Sequence, residues 1–100
     1  MRPYELMVIF DQDQEENDVK ASTKTYCDQI SKAGASLGIV DHWGKRKFAY
    51  PINKKNEGYY VVIQAKAEPE TMTELSRQLG LDGDVVRHMV LRIPESQYKL

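Results

Sequence analysis

One hundred residues form one domain with a single hydrophobic core and are too few for two domains. Hydrophobic residues make up 41% and charged residues 29%, which excludes a disordered chain and a disulfide-built one. With 14 basic and 15 acidic residues the chain is nearly neutral, and no apolar run approaches the roughly 20 residues of a membrane span.

The N-terminus and the single cysteine bear on the cellular compartment of the protein. Glu5 interrupts the first apolar stretch, so the N-terminus lacks the pattern of a secretory signal. Cys27 has no second cysteine with which to form an internal disulfide, as is usual in a reducing environment. We therefore expect a cytoplasmic protein with no membrane partner.

The first third of the chain predicts a strand, a loop and a helix. Residues 2–10 are apolar on both faces, which is typical of a central strand. Residues 11–18 hold five carboxylates in eight positions and predict a loop and the first turn of a helix, where negative charge is favourable. Gly34 is a natural residue to follow the helix. Helical spacing is carried by Val19, Thr23, Tyr26, Ile30 and Ala33.

The rest of the chain predicts three strands and a second helix. Residues 37–50 form a strand with a bulge at Gly44, residues 51–58 form its connection, and residues 59–67 form the next strand. A helix begins at Pro69 and ends at Gly80. Its inner face holds Met72, Leu75 and Leu79. Residues 81–84 form a turn, residues 85–93 form the last strand, and Pro94 ends it.

The order β-α-β-β-α-β predicts an α+β fold of the ferredoxin-like type. Right-handed crossovers place both helices on one face of a four-stranded antiparallel sheet, with the first and third strands inside. We expect this domain to span residues 1–94, followed by a short C-terminal extension over residues 95–100.

Positive charge is concentrated in one segment of this nearly neutral chain. Between His42 and Asn56 there are five cations and no carboxylate, with aromatic side chains among them. Clustered cations beside aromatic rings are typical of a nucleic-acid contact. Lysine-rich hairpins also protect sheet edges, so charge alone favours the two interpretations about equally.

Catalytic and metal sites find little support. One cysteine and two histidines cannot form a structural zinc site without several carboxylates, and we expect no metal and no cofactor. Small phosphatases of this fold bind phosphate in the loop after the first strand, but here that loop is acidic and lacks glycine. Residues 57–63 only loosely resemble the third strand of an RNA-recognition motif. We therefore expect no enzyme.

The motifs together identify a family. The chain closely resembles bacterial small-subunit ribosomal protein six over residues 1–92. The matching residues are 2–7 (Arg-Pro-Tyr-Glu-Leu-Met), 43–52 (Trp-Gly-Lys-Arg-Lys-Phe-Ala-Tyr-Pro-Ile), Lys54, Gly58, Tyr59, Glu74, Leu75, Arg77 and 90–92 (Val-Leu-Arg). Phe48 stands where the family usually has leucine, which keeps the apolar volume.

The resemblance implies a structural protein of the small ribosomal subunit, bound to the central domain of its RNA together with small-subunit ribosomal protein eighteen. We expect the free chain to be a monomer that binds RNA poorly alone. The candidate RNA-binding residues are Arg2, Lys45, Arg46, Lys47, Lys54, Lys55, Arg87 and Arg92. The candidate partner-binding residues are Trp43, Phe48, Tyr50 and Tyr59, on or beside the edge of the second strand.

Two other functions remain open from the sequence. One is a regulatory domain of ferredoxin-like fold that binds a small molecule, which gives no reason for the clustered cations. The other is an independent RNA-recognition module, which would bind single-stranded RNA tightly without a partner.

Overall fold

The computed structural model of this chain describes residues 1–52 and 55–98. In that part of the chain four strands and two helices follow the predicted β-α-β-β-α-β order, which is confirmed. They are β1 (Arg2–Asp11), α1 (Glu16–Lys32), β2 (Ser36–Ile52), β3 (Lys55–Ala67), α2 (Pro69–Leu81) and β4 (Val85–Arg92). A single 3₁₀ turn, Glu95–Gln97, follows β4.

The strands form one antiparallel sheet in the order β2-β3-β1-β4. The first and third strands are therefore the inner ones, as their two-sided apolar pattern predicts. Alternate residues of each strand point to opposite faces of the sheet. We call the face covered by the helices the helix face and the opposite one the open face.

The core lies between the helix face and the two helices. Leu6, Val8 and Phe10 of β1 are at most 2% exposed and pack with Val61 and Ile63 of β3. The helices contribute one apolar stripe each, and the buried members of these stripes are Val19, Cys27 and Ile30 of α1 and Met72, Leu75 and Leu79 of α2. Burial of these side chains is the main stabilising force of the sandwich.

Two polar groups of α1 are accommodated within this packing. The buried Thr23 hydroxyl donates to the carbonyl of Val19 at 2.8 Å, so its polar group is satisfied inside the helix. Burial raises the pKa of the Cys27 thiol, and the negative charge of Asp28 adds to the effect. Cys27 is therefore a small apolar core residue rather than a nucleophile.

The predicted helix ends are right for α1 and wrong for α2. Gly34 follows α1 with φ of +100°, a conformation that favours glycine. Gly80 does not end α2, which continues to Leu81. Instead Gly80 lies over β4, where an added Cβ would approach Cε1 of His88 to 3.7 Å. That distance is an ordinary van der Waals contact, so the fold leaves room for a Cβ at this position.

The predicted connection over residues 51–58 is also wrong, because most of it belongs to strands. Lys47 pairs with Glu57 and Ile52 pairs with Lys55, so β2 and β3 continue as a hairpin. β1 ends at Asp11, opposite Gly58, and the hairpin extends beyond it. Pro51 is tolerated in β2 because this is an edge strand, where a missing N–H need not break a ladder.

The C-terminal segment lies against the end of the sheet opposite the hairpin. The hydroxyl of Tyr98 donates to the carbonyl of Ser36 at 3.0 Å, and Lys66 forms an ion pair with Glu95 at 2.9 Å. The division into a domain over residues 1–94 and an extension over residues 95–100 stays a prediction.

Candidate RNA and partner interface

A bulge in β2 decides which face each residue of the hairpin occupies. His42 pairs with Val61 and Gly44 with Tyr60, so Trp43 and Gly44 together oppose one residue. Gly44 has φ of +83°, which a side chain would strain. The predicted bulge is confirmed.

The bulge shifts the following residues by one position. Lys45 now pairs with Tyr59, on the helix face, and Arg46 pairs with Gly58, on the open face. Trp43 and Arg46 therefore share the open face. In a regular strand, two residues three positions apart would point to opposite faces. The guanidinium Nε of Arg46 donates to the carbonyl of Trp43 at 3.2 Å.

Two of the five hairpin cations are already paired with carboxylates. Lys45 lies 3.9 Å from Glu57 and its ammonium stands 5.5 Å from the centre of the Tyr59 ring. Lys55 lies 3.1 Å from Asp13 and 3.5 Å from Asp11. The hydrogen bond to Asp13 and the charge of Asp11 raise the pKa of Lys55. The acidic loop after β1 therefore contacts the hairpin close to its turn.

Two further cations are exposed and available. Arg46 and Lys47 are exposed, and neither forms an ion pair with another residue in the described ranges 1–52 and 55–98. Lys54 lies outside the described residues. The sequence therefore located the basic segment, and the structure divides its members into paired and available charges.

Aromatic rings surround Tyr60 on the open face. The Trp43 and Tyr60 rings are nearly parallel, with 6° between their planes and 6.1 Å between their centres. Phe48 lies on Tyr60 at 6.1 Å and a tilt of 59°. Sequence reasoning did not select Tyr60 for the site, and only the register of β2 against β3 reveals its position.

The other predicted aromatic residues are placed differently. Tyr50 is 80% exposed in the projecting part of β2, where a partner could reach it. Tyr59 points to the helix face, is partly buried, and packs against the core. It therefore offers less surface to a partner than the exposed Trp43 and Tyr50.

The three candidate arginines outside the hairpin do not form one strip. Arg87 pairs with Ile9 and lines an open-face pocket with Tyr60, so it lies towards the hairpin end. Arg2 and Arg92 line a cleft of about 620 Å³ at the opposite end of the sheet. Seven residues of strand separate Arg2 from Ile9, or about 23 Å. The three arginines are therefore divided between the two ends of the sheet.

The open face also carries exposed apolar side chains. Met89 is 41% exposed, Leu91 51% and Ile39 37%. Two acidic residues, Glu5 and Asp41, lie near Ile39 around a second open-face pocket. An apolar surface with carboxylates beside it is suited to a basic protein partner.

Within the described residues, no group of three or more His, Cys, Asp or Glu side chains is placed to hold a metal ion. Neither described helix is long and apolar enough to cross a membrane.

Comparison with known proteins gives consistent matches over most of the chain. The profile of the family Ribosomal protein S6 matches residues 3–92. The small ribosomal subunit protein bS6 of Mycolicibacterium paratuberculosis is 50% identical over 92 residues, covering 92% of this chain and 96% of its own. The bS6 protein of Pseudarthrobacter chlorophenolicus is 46% identical over 97 residues, covering 97% and 95%.

Solved structures agree with the fold. The crystal structure of 30S ribosomal protein S6 from Thermotoga maritima matches with a TM-score of 0.86 and 28% identity, covering 92% of this chain and 87% of that one. The C-terminal domain of the MgtC protein from Mycobacterium tuberculosis matches with a TM-score of 0.61 and covers 97% of this chain and 93% of that one. Its identity is 13%, so this second likeness concerns the fold alone.

Proposed function

The chain belongs to the ribosomal protein S6 family, and from this premise we propose that it binds the central domain of small-subunit ribosomal RNA as a pair with small-subunit ribosomal protein eighteen. Membership makes the chain a non-catalytic constituent of the small subunit of the cytoplasmic ribosome. The sequence likeness to the family supports this choice of RNA domain and protein partner. The geometry supports two separate surfaces for them.

One observation carries the RNA part of the proposal. The β2–β3 hairpin extends beyond the end of β1 and presents Arg46 and Lys47 without a carboxylate partner among the described residues. A projecting arm with available cations can approach RNA phosphates without a clash from the rest of the domain. Such contacts supply affinity and orientation rather than sequence reading.

The partner surface that we propose spans the open face from the edge of β2 to β4 at the other edge of the sheet. Tyr50 on the edge and Met89 and Leu91 on the open face provide exposed area that a partner can bury. Glu5 and Asp41 add negative charge, which suits a partner more basic than this chain. Because the free chain is nearly neutral and only Arg46 and Lys47 of the four described hairpin cations lack an ion pair, we expect it to be a monomer that needs this partner to bind RNA well.

Sedimentation of small subunits tests the assignment to the ribosome. A tagged chain expressed in bacterial cells should sediment with small subunits through a sucrose gradient at high salt. A chain found only at the top of the gradient would contradict the proposal.

Substitutions on the open face test the partner surface. Replacing Met89 and Leu91 by serine should weaken binding of purified protein eighteen by about tenfold or more, since burying each side chain contributes about 1.5–3 kcal/mol. Leu81→Ser is the matched control, because Leu81 is 73% exposed at the end of α2. Equal binding by both variants would remove the open face from the interface.

A further inference from the structure

The stacked pair of Trp43 and Tyr60 forms an exposed aromatic platform that the phosphate contacts of the hairpin leave unused. Trp43 is 43% exposed, which is unusual for a tryptophan in a small domain. Its ring runs within 6° of the Tyr60 ring, and both line a pocket of about 390 Å³. Arg46 is the third residue of that pocket. Two rings and one guanidinium therefore converge on one open cavity.

The platform is held in place before any ligand arrives. The indole Nε1 of Trp43 donates to Asp41 at 3.0 Å, which fixes the orientation of the ring. The hydrogen bond from Arg46 to the Trp43 carbonyl keeps the guanidinium beside the indole. Phe48 supports Tyr60 from a tilted position. Because little side-chain freedom remains to be lost, a ligand bound here pays a small ordering cost.

We propose that this pocket binds an unpaired nucleobase of RNA, stacked on Trp43 and Tyr60, with a neighbouring phosphate against Arg46. The inference rests on the proposed function and adds a base contact to it. Flat aromatic surfaces accept any base, because every base has a π-face. A guanidinium binds phosphate through paired N–H donors, and Arg46 lines the pocket.

The surrounding charges favour a nucleotide over a protein side chain. A lysine or arginine from a partner could also stack on an indole, but Arg46 in the same pocket would repel it. An apolar side chain would leave the guanidinium without an anion. Asp41 lines the neighbouring pocket, which Trp43 also borders, and its carboxylate accepts the hydrogen bond of the indole N–H. Arg87 lies on the other side of Tyr60, so a cation stands on each side of the platform, where the backbone of a bound RNA strand would run.

The fluorescence of Trp43 can report on the pocket directly, since it is the single tryptophan of the chain. We would titrate the full chain at low salt with an octamer of adenylate and with an abasic octamer of the same charge. Stacking of a base on the indole should quench its emission in a saturable way with the adenylate octamer. The abasic octamer should bind, as measured by competition, without that quenching.

Variants separate stacking from charge. Tyr60→Leu should weaken binding of the adenylate octamer by about 5- to 100-fold and leave binding of the abasic octamer unchanged. Tyr60→Phe should keep the affinity, which shows that a ring is needed and guards against a folding defect in the leucine variant. Tyr98→Leu is the matched control, because Tyr98 lies at the opposite end of the sheet and does not line the pocket. Arg46→Gln should weaken binding of both octamers.

Two results would overturn the inference. One is saturable binding of the adenylate octamer with unchanged indole emission. The other is quenching by N-acetyl-arginine amide but not by the octamer, which would make the pocket a site for a protein side chain. In either case sedimentation with small subunits would still stand, so the two proposals fail separately.

Discussion

Arg46 and Lys47 should supply most of the salt-dependent affinity of the hairpin for RNA. The informative change is the double variant Arg46→Gln with Lys47→Gln, which removes two exposed cations that lack a carboxylate partner in the described chain. The matched control is Lys45→Gln with Lys55→Gln. It removes the same charge from the same hairpin, but from lysines that lie 3.9 Å from Glu57 and 3.1 Å from an aspartate.

The expected magnitude follows from counterion release. Each cation that neutralises a phosphate contributes about 0.7 to 0.9 to the slope of log affinity against log salt concentration. Loss of Arg46 and Lys47 should therefore flatten the slope by about 1.4 to 1.8. The control should change the slope little, because the carboxylates beside Lys45 and Lys55 already compensate those charges.

The assay is fluorescence anisotropy of a labelled central-domain RNA fragment, with protein eighteen present, at several salt concentrations. Over a fourfold rise in salt, the unchanged protein should lose about tenfold more affinity than the double variant. If both pairs of substitutions flatten the slope equally, the carboxylate partners do not matter. If neither pair changes it, the hairpin does not contact phosphates, and the reasoning is refuted.

Three further predictions concern the stability of the fold, each measured by urea unfolding. Gly58→Ala should destabilise the protein by about 1–3 kcal/mol, because the new Cβ would lie 2.7 Å from Cγ2 of Ile9; a cost near zero would show that the hairpin shifts freely. Tyr26→Phe should lose the hydrogen bond of 2.5 Å to Asp82. Burial and Asp82 raise the pKa of Tyr26 above its usual 10.0. The stability that the tyrosine adds is therefore complete below pH 10 and is lost as the pH rises above it. The phenylalanine variant should not show this loss of stability at alkaline pH. Leu75→Ala should cost about 2–5 kcal/mol because the side chain is 1% exposed.

The spacing of apolar residues predicts the α+β sandwich well, because the positions that face the core must be apolar. The two-sided apolar pattern of β1 and the stripe of Met72, Leu75 and Leu79 exist because those side chains are buried. Chain reversals were less predictable. Gly80 is a plausible helix end by local rules, but α2 continues past it to Leu81.

The site shows the same limit more clearly. Charge density revealed the basic segment, but whether a lysine is available depends on what folds against it, and Asp13 reaches Lys55 from 42 positions away. Which face of the sheet Trp43 and Arg46 occupy depends on the register across the Gly44 bulge. Tyr60 reads in sequence as one of two adjacent tyrosines, and only pairing with β2 places it beside the indole.

The most direct test of the account is the affinity for a central-domain RNA fragment, measured with and without small-subunit ribosomal protein eighteen at one salt concentration. The account predicts weak binding by this chain alone and clearly tighter binding when the partner is present, because the chain is nearly neutral and only two of the described hairpin cations lack an ion pair. Equal affinity under both conditions would contradict it and would make the chain a self-sufficient RNA-binding protein.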